Sequence, residues 1–182
     1  MITSNNRTKM ITLCALFTAF TAICSQIQIP LPMVPINLAL FSIHLTAILL
    51  GGKYGTFSVL AYILLGLIGA PVFAGFTGGV GILFGKTGGY IIGYLLDVLV
   101  IALLLGNKKA SFAKLCLAMA AGTLACYAFG TVWFMLLTKM GLWTSLVYCV
   151  FPFLPGDAVK ILLCAAAVPK LQRALGRKER AA

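Results

Sequence analysis

From Met10 to Ile29 the chain runs twenty residues without a charged side chain, and long apolar runs of this kind recur to near its end. A lipid bilayer core about 30 Å thick is crossed by roughly 20 apolar residues in helical form. Of the 182 residues, 62% are hydrophobic and 9% charged. Soluble domains carry about 25% charged residues. Such a chain cannot cover a water-facing surface. The spacing of its apolar runs predicts an all-α integral membrane protein of six transmembrane helices.

Proline and glycine divide the runs. The first span is expected over 10–29, after which Pro30, Pro32 and Pro35 break the helix by removing N–H donors. The second is expected over 36–50, ending at Gly51-Gly52-Lys53, and the third over 54–70, ending before Pro71. The fourth falls at 88–105, the fifth at 112–137, and the sixth at 155–168, closed by Pro169. Residues 71–87 carry too much glycine for regular helix. Residues 143–153, closing on Phe151-Pro152, read as a connecting loop. The apolar run after Lys9 is longer than the roughly 7–15 residues of a cleaved signal, so none is expected.

Charge orients the bundle. Asp97, Asp157 and Glu179 are the only acids, against fourteen Lys and Arg, a net charge of +11. With six spans, Arg7, Lys9, Lys53, Lys108, Lys109, Lys114, Lys170, Arg173, Arg177, Lys178 and Arg180 share one side, and the other holds Lys86 and Lys139. Positive residues mark cytoplasmic loops, which places both termini in the cytoplasm. One membrane domain over 1–182 is expected, with basic cytoplasmic tails at 1–9 and 170–182. The basic residues punctuate apolar runs instead of forming a stripe, which argues against nucleic-acid binding. The outer loops are then apolar and glycine-rich, which suits a loop covering a ligand cavity.

Few residues can carry chemistry. Asp157 and Lys160 lie three apart in Pro155-Gly156-Asp157-Ala158-Val159-Lys160 and share a helical face. They are either a helix cap with a structural ion pair or a polar anchor at the mouth of a cavity. Lys86, in the glycine-rich loop, either attracts a substrate carboxylate or snorkels at a helix end. His44 and Asp97 read as a polar interhelical bond or a proton relay. The relay would make the chain a proton-coupled secondary transporter. Ala15-x-x-x-Ala19 and Gly89-x-x-x-Gly93 permit close helix approach. The six cysteines have no metal-ligand spacing, so they read as packing residues, and neither metal nor cofactor is expected. Gly81 to Thr87 falls one residue short of a phosphate-binding loop and follows no strand. No nucleophile–base pair stands out, so no enzyme is expected.

Leu65-Gly66-Leu67-Ile68-Gly69-Ala70-Pro71-Val72-Phe73-Ala74-Gly75-Phe76, Gly78-Gly79 and Gly85-Lys86-Thr87-Gly88-Gly89-Tyr90 resemble the signature of the BioY family. The likeness extends through Gly52-Lys53-Tyr54-Gly55 and Pro155-Gly156-Asp157-x-x-Lys160. BioY proteins are the biotin-binding S components of energy-coupling factor (ECF) transporters of the bacterial cell membrane. The resemblance implies high-affinity biotin capture for uptake, with a transmembrane coupling protein and two ATPase subunits as partners. It implies that Ala15 and Ala19 meet the coupling protein and that Asp157 and Lys160 contact the ligand. Tyr90 and Thr87 fall inside the signature beside the third loop, and Phe73, Phe76 and Phe84 are candidates for an apolar wall. On that basis Asp157 and Lys160 would meet the ureido end of biotin and Lys86 its carboxylate, or the reverse. Lys86 stands where the family often has proline, and Asn37 and Ala39 follow Val34-Pro35 where it often shows Thr and Gln.

Overall fold

The computed structural model describes residues 4–31, 33–106 and 110–175, with side chains from Arg7 onward. Lys108, Lys109, Arg177, Lys178 and Arg180, five of the cations used to orient the chain, lie outside the described residues. The described chain is helical apart from two short paired segments and the turns: α1 (Ser4–Gln26), β1 (Gln28–Ile29), β2 (Ile36–Asn37), α2 (Ala39–Leu67), α3 (Val80–Leu83), α4 (Gly88–Leu105), α5 (Phe112–Thr138), α6 (Leu142–Cys149) and α7 (Leu154–Ala174). Four of these helices, α1, α2, α4 and α5, are long and apolar enough to cross a membrane. A fifth span results if α6 and α7, bent by 51° at their junction, are taken together. The protein is therefore an all-helical, multi-pass membrane protein.

Gly51 interrupts α2 with φ 78° and ψ 176°, a conformation open to glycine and costly for other residues. A Cβ built on Gly55 would lie 3.3 Å from Thr46 O and 3.4 Å from the Ala47 Cα. Residues nine apart in a continuous helix are separated by about 13 Å along the axis. The chain therefore doubles back at Gly51, and α2 is a hairpin of two helical arms, 39–50 and 52–67. Residues 42–50 of the first arm are buried without exception, which puts this arm at the centre of the bundle.

The helices meet through small and hydroxyl side chains, which allow close approach and interhelical hydrogen bonds inside a bilayer. Ser58 Oγ of α2 donates to Cys14 O of α1 at 3.0 Å, and Ser42 Oγ donates to Thr21 Oγ1 at 2.6 Å. Between α4 and α5 the contact is closest at glycines. A Cβ on Gly89 would strike Trp133, one on Gly93 would strike Cys126, and one on Gly122 would strike the Asp97 carboxylate. Gly89 and Gly93 thus pack inside the protein.

The polypeptide sorts into two ends. Lys9 Nζ donates to Leu175 O at 3.1 Å, which joins the start of α1 to the end of α7. At the same end a Cβ on Gly52, at the hairpin tip, would meet the Ala102 Cβ near the end of α4 at 2.9 Å. The opposite end carries the β1–β2 pair, the 68–79 turn with α3, and α6.

Three expectations need correction. Residues 142–149 are helix α6, not a loop: no proline interrupts the run before Pro152, and the Ser145 N–H donates to Gly141 O and the Val150 N–H to Leu146 O, both at 3.0 Å. Helix α7 runs through Pro169 to Ala174, since proline costs one hydrogen bond and the flanking turns hold the rest. Within the glycine-rich 71–87 stretch, where no regular helix is expected, Val80–Leu83 forms the single-turn helix α3; the rest is turns, with a bridge between Phe73 and Thr77.

The α4–α5 contact predicts a contrast between two glycines. Gly93→Ala should lower the thermal unfolding midpoint in detergent, by the equivalent of about 1–3 kcal/mol of overpacking. Gly81→Ala, with open space around its Cβ position, should stay within about 0.5 kcal/mol of wild type. Equal effects of the two changes would contradict the close packing described here.

Candidate functional site

A cavity of about 230 Å³ opens at the end of the bundle away from the Lys9–Leu175 contact. Its floor and walls come from several elements. Val34, Pro35 and Asn37 belong to the β1–β2 connection and β2, and Leu40 and Tyr62 to the two arms of α2. Phe73, Ala74 and Thr77 come from the turn after α2, and Thr87, Tyr90, Ile91 and Tyr94 from the start of α4. Cys126 and Tyr127 of α5, Cys149 and Phe153 around α6, and Lys160 of α7 close it. Most of this surface is carbon, with a few hydroxyls and one ammonium, the usual character of a small-molecule site.

The charge in this wall is held in a defined way. Pro155 opens α7, and Asp157 lies in its first turn, where the helix dipole favours an anion. Lys160, one turn on, donates from Nζ to Asp157 Oδ1 at 2.7 Å and to Asn37 O at 2.6 Å. Tyr127 OH donates to Asp157 Oδ2. Asp157 is 2% exposed and Lys160 6%. An ammonium has three donors. Two are engaged by these bonds among the described residues, and Lys160 also lines the cavity. Asp157 does not line the cavity; it stands behind Lys160 and Tyr127 and orients both.

The aromatic wall is equally constrained. Tyr90, Tyr127 and Phe153 form a chain of edge-to-face contacts with centroids 6.5 and 6.4 Å apart. Tyr90 OH lies 3.2 Å from Thr131 Oγ1, and a Cβ on Gly130 would run into the Tyr90 ring. Phe73 is fully buried, packs edge-on against Tyr62 at 5.5 Å, and occupies the space a side chain at Gly66 would need.

The structure gathers the sequence candidates unevenly. Lys160, Tyr90, Phe73 and Thr87 line the cavity, with Asp157 directly behind. Lys86 is exposed and stands at the rim, its Nζ 4.0 Å from Met33 Sδ, beside the lining residues Val34 and Thr87. Phe76 is 72% exposed and Phe84 61%, and neither lines the cavity; Phe84 packs outward on Trp133. Ala15 and Ala19 lie on the exposed side of α1. His44 Nε2 and Asp97 Oδ2 approach to 3.2 Å, but both side chains are 0% exposed and neither lines the cavity. Among the described residues all six cysteines are free, and Cys126 and Cys149 contribute to the cavity wall as well as to packing. Sequence reasoning missed Tyr127, Tyr94 and the Asn37 carbonyl. Tyr94 follows Tyr90 by four residues and so shares its helical face, a signal present in the sequence; Tyr127 has no such marker.

The fold and the cavity define a class: a multi-pass membrane protein with an apolar, single-ended binding site for a small molecule. The chain matches the BioY family over residues 1–177. It is 39% identical over 158 residues to the biotin transporter BioY of Thermotoga maritima, covering 87% of this chain and 92% of that one. It is 35% identical over 166 residues to a probable biotin transporter BioY of Pyrococcus horikoshii, covering 91% and 98%. Among solved structures it resembles the S-component for biotin from an ECF-type ABC transporter, with a TM-score of 0.86, 32% identity and 95% of each chain covered. The chain belongs to the BioY family.

The buried pair makes a stability prediction that needs no ligand. Asp157→Leu alone strands the Lys160 ammonium and should cost about 3–5 kcal/mol, whereas Asp157→Leu with Lys160→Met should recover most of that loss. Thermal unfolding of the two purified variants in detergent separates the outcomes; a double variant no more stable than the single one would contradict the pairing.

Proposed function

We propose that this chain captures biotin with high affinity from outside the cell and is the substrate-binding membrane subunit of an ECF-type ABC transporter. It is a transport protein and not an enzyme. The observation that carries the reading is the Asp157–Lys160–Tyr127 group, buried at the wall of an apolar cavity that Lys160 lines. Biotin combines a polar ureido ring, an apolar sulfur ring and chain, and one carboxylate. The Lys160 donor suits the ureido carbonyl, Phe73, Tyr90 and Thr87 suit the rings and chain, and Lys86 at the rim suits the carboxylate. Phe76, exposed on the outer side of the same turn, is left out of this site.

The topology follows from the same frame. The break at Gly51 supports counting the arms of α2 as separate spans, and α6 with α7 as the last, six in all within one membrane domain. The cavity lies at the end opposite Lys9, Lys53 and Leu175. With positive residues on the cytoplasmic side, both termini are cytoplasmic and the cavity opens outward under the 71–87 loop. The exposed Ala15–Ala19 face of α1 is the docking surface for a transmembrane coupling protein, and two ATPase subunits supply the energy. Proton coupling through His44 and Asp97 finds no support, because that pair is sealed from the cavity.

Calorimetry of the purified protein with biotin, riboflavin and thiamine tests the ligand. Saturable heat with biotin alone is expected; binding of another vitamin in its place, or none at all, would overturn the reading. Asp157→Asn and Lys160→Ala should each weaken biotin binding by about 1–3 kcal/mol, while Asp97→Asn should leave it unchanged.

A further inference from the structure

The cavity wall formed by the 72–77 turn is held by a residue outside the cavity. Gln26 is the last residue of α1. Its Nε2 lies 3.2 Å from Val72 O, 3.1 Å from Phe73 O and 3.2 Å from Ala22 O of its own helix. Its Oε1 accepts from the Phe76 N–H at 2.8 Å. One side-chain amide thus fastens three backbone groups of a five-residue stretch. That stretch needs fastening: Gly75 has φ 71° and Phe76 φ 56°, and an aromatic residue in the left-handed region is held there only by its surroundings. The bridge between Phe73 and Thr77 closes the turn. Phe73, Ala74 and Thr77 of this turn face the cavity. The neighbouring Ser25 acts in parallel, since its Oγ lies 2.8 Å from the hydroxyl of Tyr62, another wall residue.

We propose that Gln26 is a positioning residue for ligand retention: its amide clasps the 72–77 turn and keeps Phe73, Ala74 and Thr77 in the cavity wall. The ligand identity rests on the biotin reading above; the clasp does not. Losing the clasp lets the turn lift and carry Phe73, Ala74 and Thr77 away from the cavity, which opens an exit although no lining residue has been substituted. Its signature is a faster off-rate, with a smaller change in on-rate.

The test uses the full chain in detergent, with biotin dissociation followed by chase. Gln26→Met keeps the length of the side chain and has no amide; Gln26→Glu retains an acceptor for Phe76 and loses the donors to Val72 and Phe73. Both should release biotin about tenfold faster or more, the effect of losing one to two hydrogen bonds. The unfolding temperature of the ligand-free protein should fall no further than it does in Thr18→Val, which also removes interhelical hydrogen bonds. Thr18→Val, which loosens α1 against α2 away from the cavity, is the control for general packing. Dissociation within twofold of wild type in Gln26→Met, or equal acceleration by Thr18→Val, overturns the proposal. Hydrogen exchange over 72–79 supplies a readout without a ligand. It should be faster in Gln26→Met than in wild type, and unchanged exchange there also overturns the clasp. Should the wild-type chain fail to bind biotin, the ligand assignment fails, and the exchange comparison alone decides on Gln26. If the Gln26 variants do not fold, biotin should still slow exchange over 72–79 in the wild type; no slowing overturns the proposal.

Discussion

A charge and an irregular backbone segment solve each other's problem at the centre of this structure. Lys160 sits on a helix among apolar neighbours, where an ammonium without partners would be expelled or neutralised. Asn37 belongs to the extended segment before α2, where a carbonyl has no helical partner and lipid offers none. Lys160 Nζ binds that carbonyl and Asp157 together. The non-helical chain over β2 is thereby tolerated at depth, and because it is tolerated there, Val34, Pro35 and Asn37 reach the cavity. Remove the ion pair and the extended segment loses the contact that fixes it to α7.

The second constraint is steric. The depth of the cavity is set by how closely α4 approaches α5, and that approach is written in glycine. Gly130 lies under the ring of Tyr90, so the phenol can fold back to Thr131 and leave its face to the cavity. Gly89 and Gly93 bring the same helix against Trp133 and Cys126. Trp133 in turn donates from Nε1 to Gly85 O at 3.1 Å, tying α5 to the turn between α3 and α4. In lipid there is little hydrophobic drive between helices, so packing of this kind and a few hydrogen bonds carry the association. The wall is accordingly fixed by glycine against aromatic rings along α4 and α5, and by the Lys160 and Gln26 hydrogen bonds where the chain turns.

What the sequence made legible follows the same division. The fourth span matched α4 at both ends, and the fifth matched α5 within one residue, because glycine, serine and lysine punctuate long apolar runs there. The turn at Gly51 was legible for the same reason. Helix α6 was not, since an eight-residue apolar stretch before a proline reads equally as loop or helix. Nor could Pro169 alone say that α7 continues. In the cavity, Asp157 and Lys160 stood out because charge is rare in such runs. Tyr127 did not, because an apolar helix with no polar face gives no indication of which side points inward. The separation of Phe73 from Phe76 depends on the left-handed conformations at Gly75 and Phe76, which three residues of spacing do not reveal.

The two buried acid–base pairs show why burial alone does not mark a binding site. His44 Nε2 lies 3.2 Å from Asp97 Oδ2 but out of hydrogen-bond alignment, and 3.1 Å from Thr123 Oγ1. Neither oxygen of Asp97 has another hydrogen-bond partner among the described residues, and the carboxylate fills the space that the missing side chain of Gly122 leaves. This pair is more deeply buried than Asp157 and Lys160, yet it joins the central arm of α2 to α4 and α5 and reaches no cavity. The Asp157–Lys160 pair is better satisfied, by Tyr127 and by Asn37 O, and Lys160 still lines the cavity. A site that must hold a polar solute inside an apolar protein needs that combination: charge anchored from behind, so that it does not move, and still part of the wall in front.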